Sequence, residues 1–274
     1  TRAAYGLSGV KVVDYQANTA ADTKQLAKDV GTISNISLID PNVVSATFRQ
    51  LQQIKPYYTF NNSLDIDRYT IDGKSHDMVV AVREMNIDGN PNRNWINDHL
   101  VYTHGFGFVA AYGNTVDADG KPNFVVGDLP PTSGLGKFEP RIYFGENVPD
   151  YSIIGGNSKS NVEFDYPDDT SANGQKNTTY KGKGGVPMGN LFNRLVFTIK
   201  YQEQRILLSN LINSDSKILF NRNPRDRVSK VAPWLTLDGD PYPAVVDGKI
   251  QWIIDGYTTT AGYPYAHKTE LSSA

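Results

Sequence analysis

Cysteine is missing from all 274 residues. That absence removes disulfide bridges, thiolate zinc sites and a cysteine nucleophile together. Histidine is scarce, with four copies, so few side chains can titrate near neutral pH or ligate a borderline metal. An excess of charge of one sign is missing too: the formal net charge is −2. Nucleic acid is therefore not expected as the main partner, because neutralising phosphates needs a concentrated positive face. No apolar run reaches the roughly eighteen residues of a membrane span, and no signal peptide is read at the start, so the stretch reads as soluble. The chain also lacks a Gly-x-Ser-x-Gly elbow, a His-Glu-x-x-His zinc motif and a Gly-Lys-Ser/Thr phosphate loop, and no cofactor is expected.

With 39% hydrophobic and 20% charged residues, the composition is that of a globular protein able to bury a substantial core. Residues 1–274 are expected to form one domain, with a flexible polar loop near 168–188. Sixteen tyrosines, with abundant Asn, Gly and Pro, lean towards an extracytoplasmic location.

Periodicity predicts an α+β fold. Residues 9–15 alternate like a strand, and 21–33 place Leu26, Ala27 and Val30 on one helical face. Residues 39–54 read as a clearer helix, with Asp40 as N-cap, Pro41 in the first turn and Val44, Phe48 and Leu51 on one face. Strands and hairpins are expected over 57–166 and 235–258, and helices mainly near 21–54 and 189–234. The tripeptide Asp-Gly-Lys recurs at 72–74, 119–121 and 247–249, and each copy is read as a two-residue hairpin tip. Residues 189–211 carry the strongest helical pattern, which predicts a helix central to the packing, with Leu195 and Ile199 buried. Asn223 and Pro224 open another helix.

"NWINDHLVYTHGFGFVAAYG" (94–113) gathers Asp98, His99 and His104. Five residues on a strand put the two histidines on opposite faces, and on a helix about 140° apart, so they do not chelate as neighbours. The favoured reading is a helix from Trp95 to His104 ended by Gly105, with His104 near a C-terminus whose dipole suits an imidazolium. No metal site is expected. If there is a catalytic site, its candidates are His104, Glu146 and Asp240, with Asp165 as another carboxylate option, since imidazole with an orienting carboxylate is acid/base chemistry. "NRNPRDRVSK" gathers Arg222, Arg225, Arg227 and Lys230. A solvated, salt-bridged face is the favoured reading there, with Arg225 and Arg227 as weaker ligand-binding candidates. Tyr257, in the tyrosine-rich "DGYTTTAGYPY", is a third. "YKGKGGVPMGNLF" (180–192) places glycines and lysines before a helix, where a linker is favoured over an anion cradle.

Several segments together resemble one family. "NRNWINDHLVYTHGFG", "PRIYFGE", "VEFDYP", "YKGKGGVPMGNLFNRLVF", "ILLSN" and "NPRDRVSKVAPWLTLDGDPYPAVVDGKIQWIIDGYTTT" are similar to the UPF0182 family of large bacterial membrane proteins, best known from actinobacteria. The resemblance covers essentially the whole chain. It implies several N-terminal transmembrane helices followed by a large domain outside the cytoplasm, of which this chain is a middle portion. It carries no catalytic residues over. Two function classes follow. One is an extracytoplasmic domain that binds a ligand or protein partner for its membrane portion. The other is a cell-envelope hydrolase built on His104 and a carboxylate. Convergence of those groups in one concave pocket would separate them.

Overall fold

The computed structural model describes residues 39–156, 162–260 and 262. The strand and helix expected at 9–15 and 21–33 lie outside the described residues. Within them the fold is α+β, with antiparallel pairing between all the named strands.

Helix α1 spans Pro41–Gln52 as its pattern requires. Asp40 stays extended, and its Oδ1 accepts the Asn42 N–H at 2.9 Å, satisfying one of the donors that a helix start leaves free. Val44 and Phe48, one turn apart, face the core. They pack on a five-stranded sheet whose spatial order is Asp65–Ile71, Lys74–Val82, Phe108–Val116, Pro122–Gly127 and Thr132–Ser133. Residues Met78 to Val82 of the second strand are buried on both faces. Because successive side chains alternate, Val79 and Ala81 join Val44 and Phe48, while Met78, Val80 and Val82 join Phe108 and Val126. The second face is covered by the hairpin of Tyr242–Val246 and Lys249–Ile253, through Val245, Ile250 and Trp252. Each such side chain contributes roughly 1.5–3 kcal/mol of burial, an upper figure against a compact unfolded state.

A buried arginine fastens α1 to this sheet. Arg83 is fully enclosed; its Nε donates to the Gln52 carbonyl at 2.6 Å, Nη2 to Gln52 Oε1 at 3.0 Å and Nη1 to the Phe106 carbonyl at 3.0 Å. Burial pushes the guanidinium down to about 10. Carbonyl dipoles, not a carboxylate, satisfy its donors.

Two of the three Asp-Gly-Lys tips are as expected. Asp72-Gly73 and Asp247-Gly248 have positive φ at both residues (50° and 74°; 50° and 71°), the geometry of a two-residue hairpin turn. The third differs. Only Gly120 has positive φ, and the loop runs from Asp117 to Lys121, because Asp117 Oδ1 accepts the N–H groups of Asp119 and Lys121. An aspartate two residues upstream thus sets the turn.

A second core surrounds a three-stranded sheet ordered Tyr151–Ile154, Lys217–Phe220, Val186–Pro187. The Lys217–Phe220 strand lies inside the span read as helical. Helix α2, Leu191–Tyr201, reaches this core through Phe197, while Leu195 and Ile199 are 45% and 68% exposed. The expected 23-residue helix ends at Tyr201, where Gln202 turns left-handed (φ 52°), and Ile206 is buried from the separate short helix α3, Arg205–Leu208. Helix α4, Pro224–Val231, starts as read: Asn223 accepts the N–H groups of Arg225 and Asp226. The 168–188 stretch is only partly loop, because Gln175–Thr178 returns as a strand against Glu163–Pro167.

Candidate functional site

The segment 94–113 does not form the helix expected up to His104. Trp95 and Ile96 start a turn that widens into a π-helical turn over Asn97–Val101, and the chain has left the helix by Thr103 and His104, just before the short strand Gly105–Phe106. His104 therefore lies beyond the helix end, and its partners are side chains. His99 takes a separate path: its ring stacks on Tyr151 at 3.9 Å and its Nδ1 lies 3.1 Å from the Tyr151 carbonyl.

His104 has no exposed surface. Nε2 faces Asp165 Oδ1 at 3.4 Å, Nδ1 faces the Thr103 hydroxyl at 3.0 Å, and the Tyr143 ring lies 4.6 Å away. Thr103 Oγ1 also donates to Glu163 Oε2 at 3.2 Å. The other oxygen of Glu163 accepts the N–H groups of Gly155 and Tyr180. Glu163 and Asp165 stand two apart on one strand, across a β-bulge between Phe164 and Tyr166, and both reach the same network, Glu163 through Thr103 and Asp165 through His104.

Arg141 closes the network from outside. Its Nε and Nη2 grip both oxygens of Asp165 at 2.7 and 2.8 Å, and its Nη1 reaches Glu139 at 2.8 Å. Bidentate pairing of this kind fixes orientation as well as adding energy. Burial pushes the Asp165 carboxyl up, but hydrogen bonds from His104 and Arg141 and the Arg141 charge outweigh it, leaving it below the ordinary carboxylate range. Burial, with the nearby Glu163 charge, holds the Tyr143 phenol well above its usual range. The Tyr143 hydroxyl is buried with no hydrogen-bond partner among the described residues.

Outside this wall lies a cavity of about 370 Å³, lined by Glu139, Arg141, Tyr143 and residues 178–182. Tyr143 and Tyr180 meet edge to face at 4.8 Å, and Lys217 Nζ sits 6.0 Å from the Tyr180 ring centre while donating to the Gly182 carbonyl. A Cβ at Gly182 would fall 2.2 Å from the Tyr180 hydroxyl, so a larger residue there would push the Tyr180 ring aside. The glycine-lysine stretch thus supplies one cavity wall.

The other sequence candidates gather elsewhere. Glu146 accepts a hydrogen bond from Asn61, and its carboxyl is raised by burial and then by Asp240, with Asn61 and Arg225 acting the other way. Asp65, at the same place, is pushed up to about 7 by burial and the charges of Asp240 and Glu146. The structure brings Asp240 and Arg225 within electrostatic reach of Glu146 and joins His104 to Asp165 instead. Arg227 lies over the Phe144 ring at 5.0 Å. Tyr257 is 55% exposed on a short strand. Arg222 does not belong to a solvated face: it is buried, and it donates to the carbonyls of Thr103 (2.6 Å) and Tyr143 (2.8 Å) and to Ser152 Oγ (2.6 Å). Among the described residues, no group of three His, Asp or Glu side chains is placed to hold a metal ion.

Sequence reasoning missed Thr103, Arg141, Tyr143, Glu163 and Tyr180. The Glu-x-Asp pair on a predicted strand was the available signal.

The architecture defines an α+β protein with a buried polar network behind a surface cavity. The chain belongs to the uncharacterised protein family UPF0182, whose family model matches residues 1–274. It is 51% identical over 278 residues to a UPF0182 protein of Bifidobacterium adolescentis, covering all of this chain and 25% of that protein. It is 50% identical to UPF0182 protein SCO5204 of Streptomyces coelicolor (99% of this chain, 27% of that protein) and to a UPF0182 protein of Arthrobacter sp. (100% and 28%). The chain thus spans about a quarter of the length of these relatives. No solved structure matches it.

Proposed function

We propose that this part of the protein binds a small, uncharged, hydroxyl-rich ligand, a saccharide by chemical class, in the cavity beside Arg141. The observation that carries the reading is the make-up of the wall. Arg141 is held bidentately by Asp165 and further paired with Glu139, so it presents a rigid polar plane, not a free charge. Glu139, Asp165 and Glu163 balance Arg141, Lys181 and Lys217. A site neutralised in this way recognises dipoles. Two tyrosine rings offer apolar faces, and Thr178 and Thr179 line the cavity beside them. Apolar faces with a few fixed polar groups are what small-ligand sites require.

The hydrolase reading is less favoured. A general base must reach the proton it takes, and His104, sealed behind Tyr143 and Asp165, presents no surface to a substrate. Placement outside the cytoplasm of a membrane-attached protein belongs to the same proposal. Its support is the family resemblance and the greater length of the relatives; no helix among the described residues is long and apolar enough to cross a membrane.

An oligosaccharide microarray probed with the full-length protein tests the reading, with Tyr180→Ala in parallel. Binding of a neutral sugar that weakens at least about tenfold in the variant is the expected result, as for loss of one well-placed contact. No sugar binding, or stronger binding of inorganic phosphate or a simple carboxylate, would overturn it.

A further inference from the structure

Helix α2 is apolar on more than one side. Seven of its eleven residues are apolar or aromatic, yet only Phe197 is buried. Leu191, Phe192, Leu195, Val196 and Ile199 are between 43% and 73% exposed. Their spacing places them along one stripe: 191, 195 and 199 follow at i+4, and 192, 195, 196 and 199 interleave at i+3 and i+4. Soluble proteins seldom leave a contiguous stripe of this kind open to water.

We propose that this stripe is the docking face for an apolar helical segment of the same polypeptide, from the part of the protein beyond these 274 residues. Three observations select that occupant. Relatives that this chain matches end to end are about four times its length, so most of the polypeptide lies outside it. A segment tethered in the same chain meets the stripe at an effective concentration that can reach the millimolar range, above what a free partner attains. The ridge formed by Leu191, Leu195 and Ile199 has the i+4 period that interdigitates with another helix.

The fourth consideration concerns charge. A helix that lies on a lipid surface carries lysines and arginines free to meet headgroups. Helix α2 has two cations and both are occupied. Arg194 turns inward to the carbonyls of Met188 and Ile212, and Lys200 sits over the Phe220 ring at 4.5 Å. The stripe is built for protein. The inference is independent of the cavity reading, because no residue of the stripe lines that cavity.

The test places a photo-crosslinking amino acid at Leu195 or Ile199 of the full-length protein, with Val43 on α1, more solvent-facing than either at 74% exposure, as control. Mixing 14N- and 15N-labelled chains before irradiation separates links within one chain from links between copies. The expected result is a cross-link from Leu195 and Ile199, several-fold above Val43, to an apolar segment of the same chain outside this region. Cross-links chiefly to lipid, to a second copy or to another protein, or yields no higher than at Val43, would overturn the proposal. An exposed side chain is replaced in each case, so folding is not the variable.

Discussion

Asp65 and Asp165 show how two carboxyls in one fold respond oppositely to pH. Asp165 is held low, so its stabilisation is present above the unfolded carboxyl pKa and is lost as pH falls through the lower folded value. Asp65 is pushed up to about 7, by burial first and then by Asp240 and Glu146. Between about pH 4 and 7 the folded chain therefore binds a proton at Asp65 that the unfolded chain has released, since an unfolded aspartate titrates near 3.9. That contribution is full below the unfolded value and is lost as pH rises through the folded one. Glu84 is raised to about 7 by burial, against a hydrogen bond from the Asn147 N–H, and has the same sign. Asp65→Asn is accordingly expected to gain thermal stability relative to the parent as pH is raised from about 4 to 8, with part of the slope remaining from Glu84. Melting curves that stay parallel across that range would contradict the assignment.

The hairpins show which parts of an element local sequence dictates. At Asp72-Gly73 and Asp247-Gly248 two residues carry the turn, and any L side chain at the glycine would be strained by roughly 1–2 kcal/mol. At the third tip the aspartate that matters is Asp117. Asp117→Ala removes the acceptor of two backbone N–H groups and should cost about 1 kcal/mol, whereas Asp119→Ala should change little, as urea unfolding of both variants will measure. Equal losses would show the turn to be set by the dipeptide after all. The same limit applies to helices. Asp40 and Asn223 mark helix starts because a cap is a local hydrogen bond. The 189–211 pattern gave a helix without its core-facing side, since apolar residues surround α2 and periodicity cannot rank two apolar faces. The break at Gln202 and the strand at Lys217–Phe220 depend on partners distant in sequence. His104 was legible as unusual, but its link to Asp165 spans 61 positions and no spacing rule conveys it.

Across the whole molecule, protection should follow the doubly covered strand. Met78 to Val82 lie between α1 and the Tyr242–Ile253 hairpin, with Met78 to Val80 paired on both edges and Ala81 and Val82 paired with the Phe108–Val116 strand. Their amides should exchange with deuterium last, and those of the thin Gln175–Thr178 hairpin among the first, when the intact protein is followed by mass spectrometry. Faster exchange at Met78–Val82 than at the hairpin would refute that ranking of local stability. Arg222 adds an ordering in time. Its guanidinium binds the Thr103 carbonyl, 119 positions earlier, and the Tyr143 carbonyl, 79 positions earlier. At synthesis rates of roughly 5–20 residues per second, about 6–24 s separate the making of Thr103 from that of Arg222. During that interval the polar network behind the cavity lacks its central donor, so a nascent chain stopped before residue 222 holds the histidine and its carboxylates without the group that fastens their segments together.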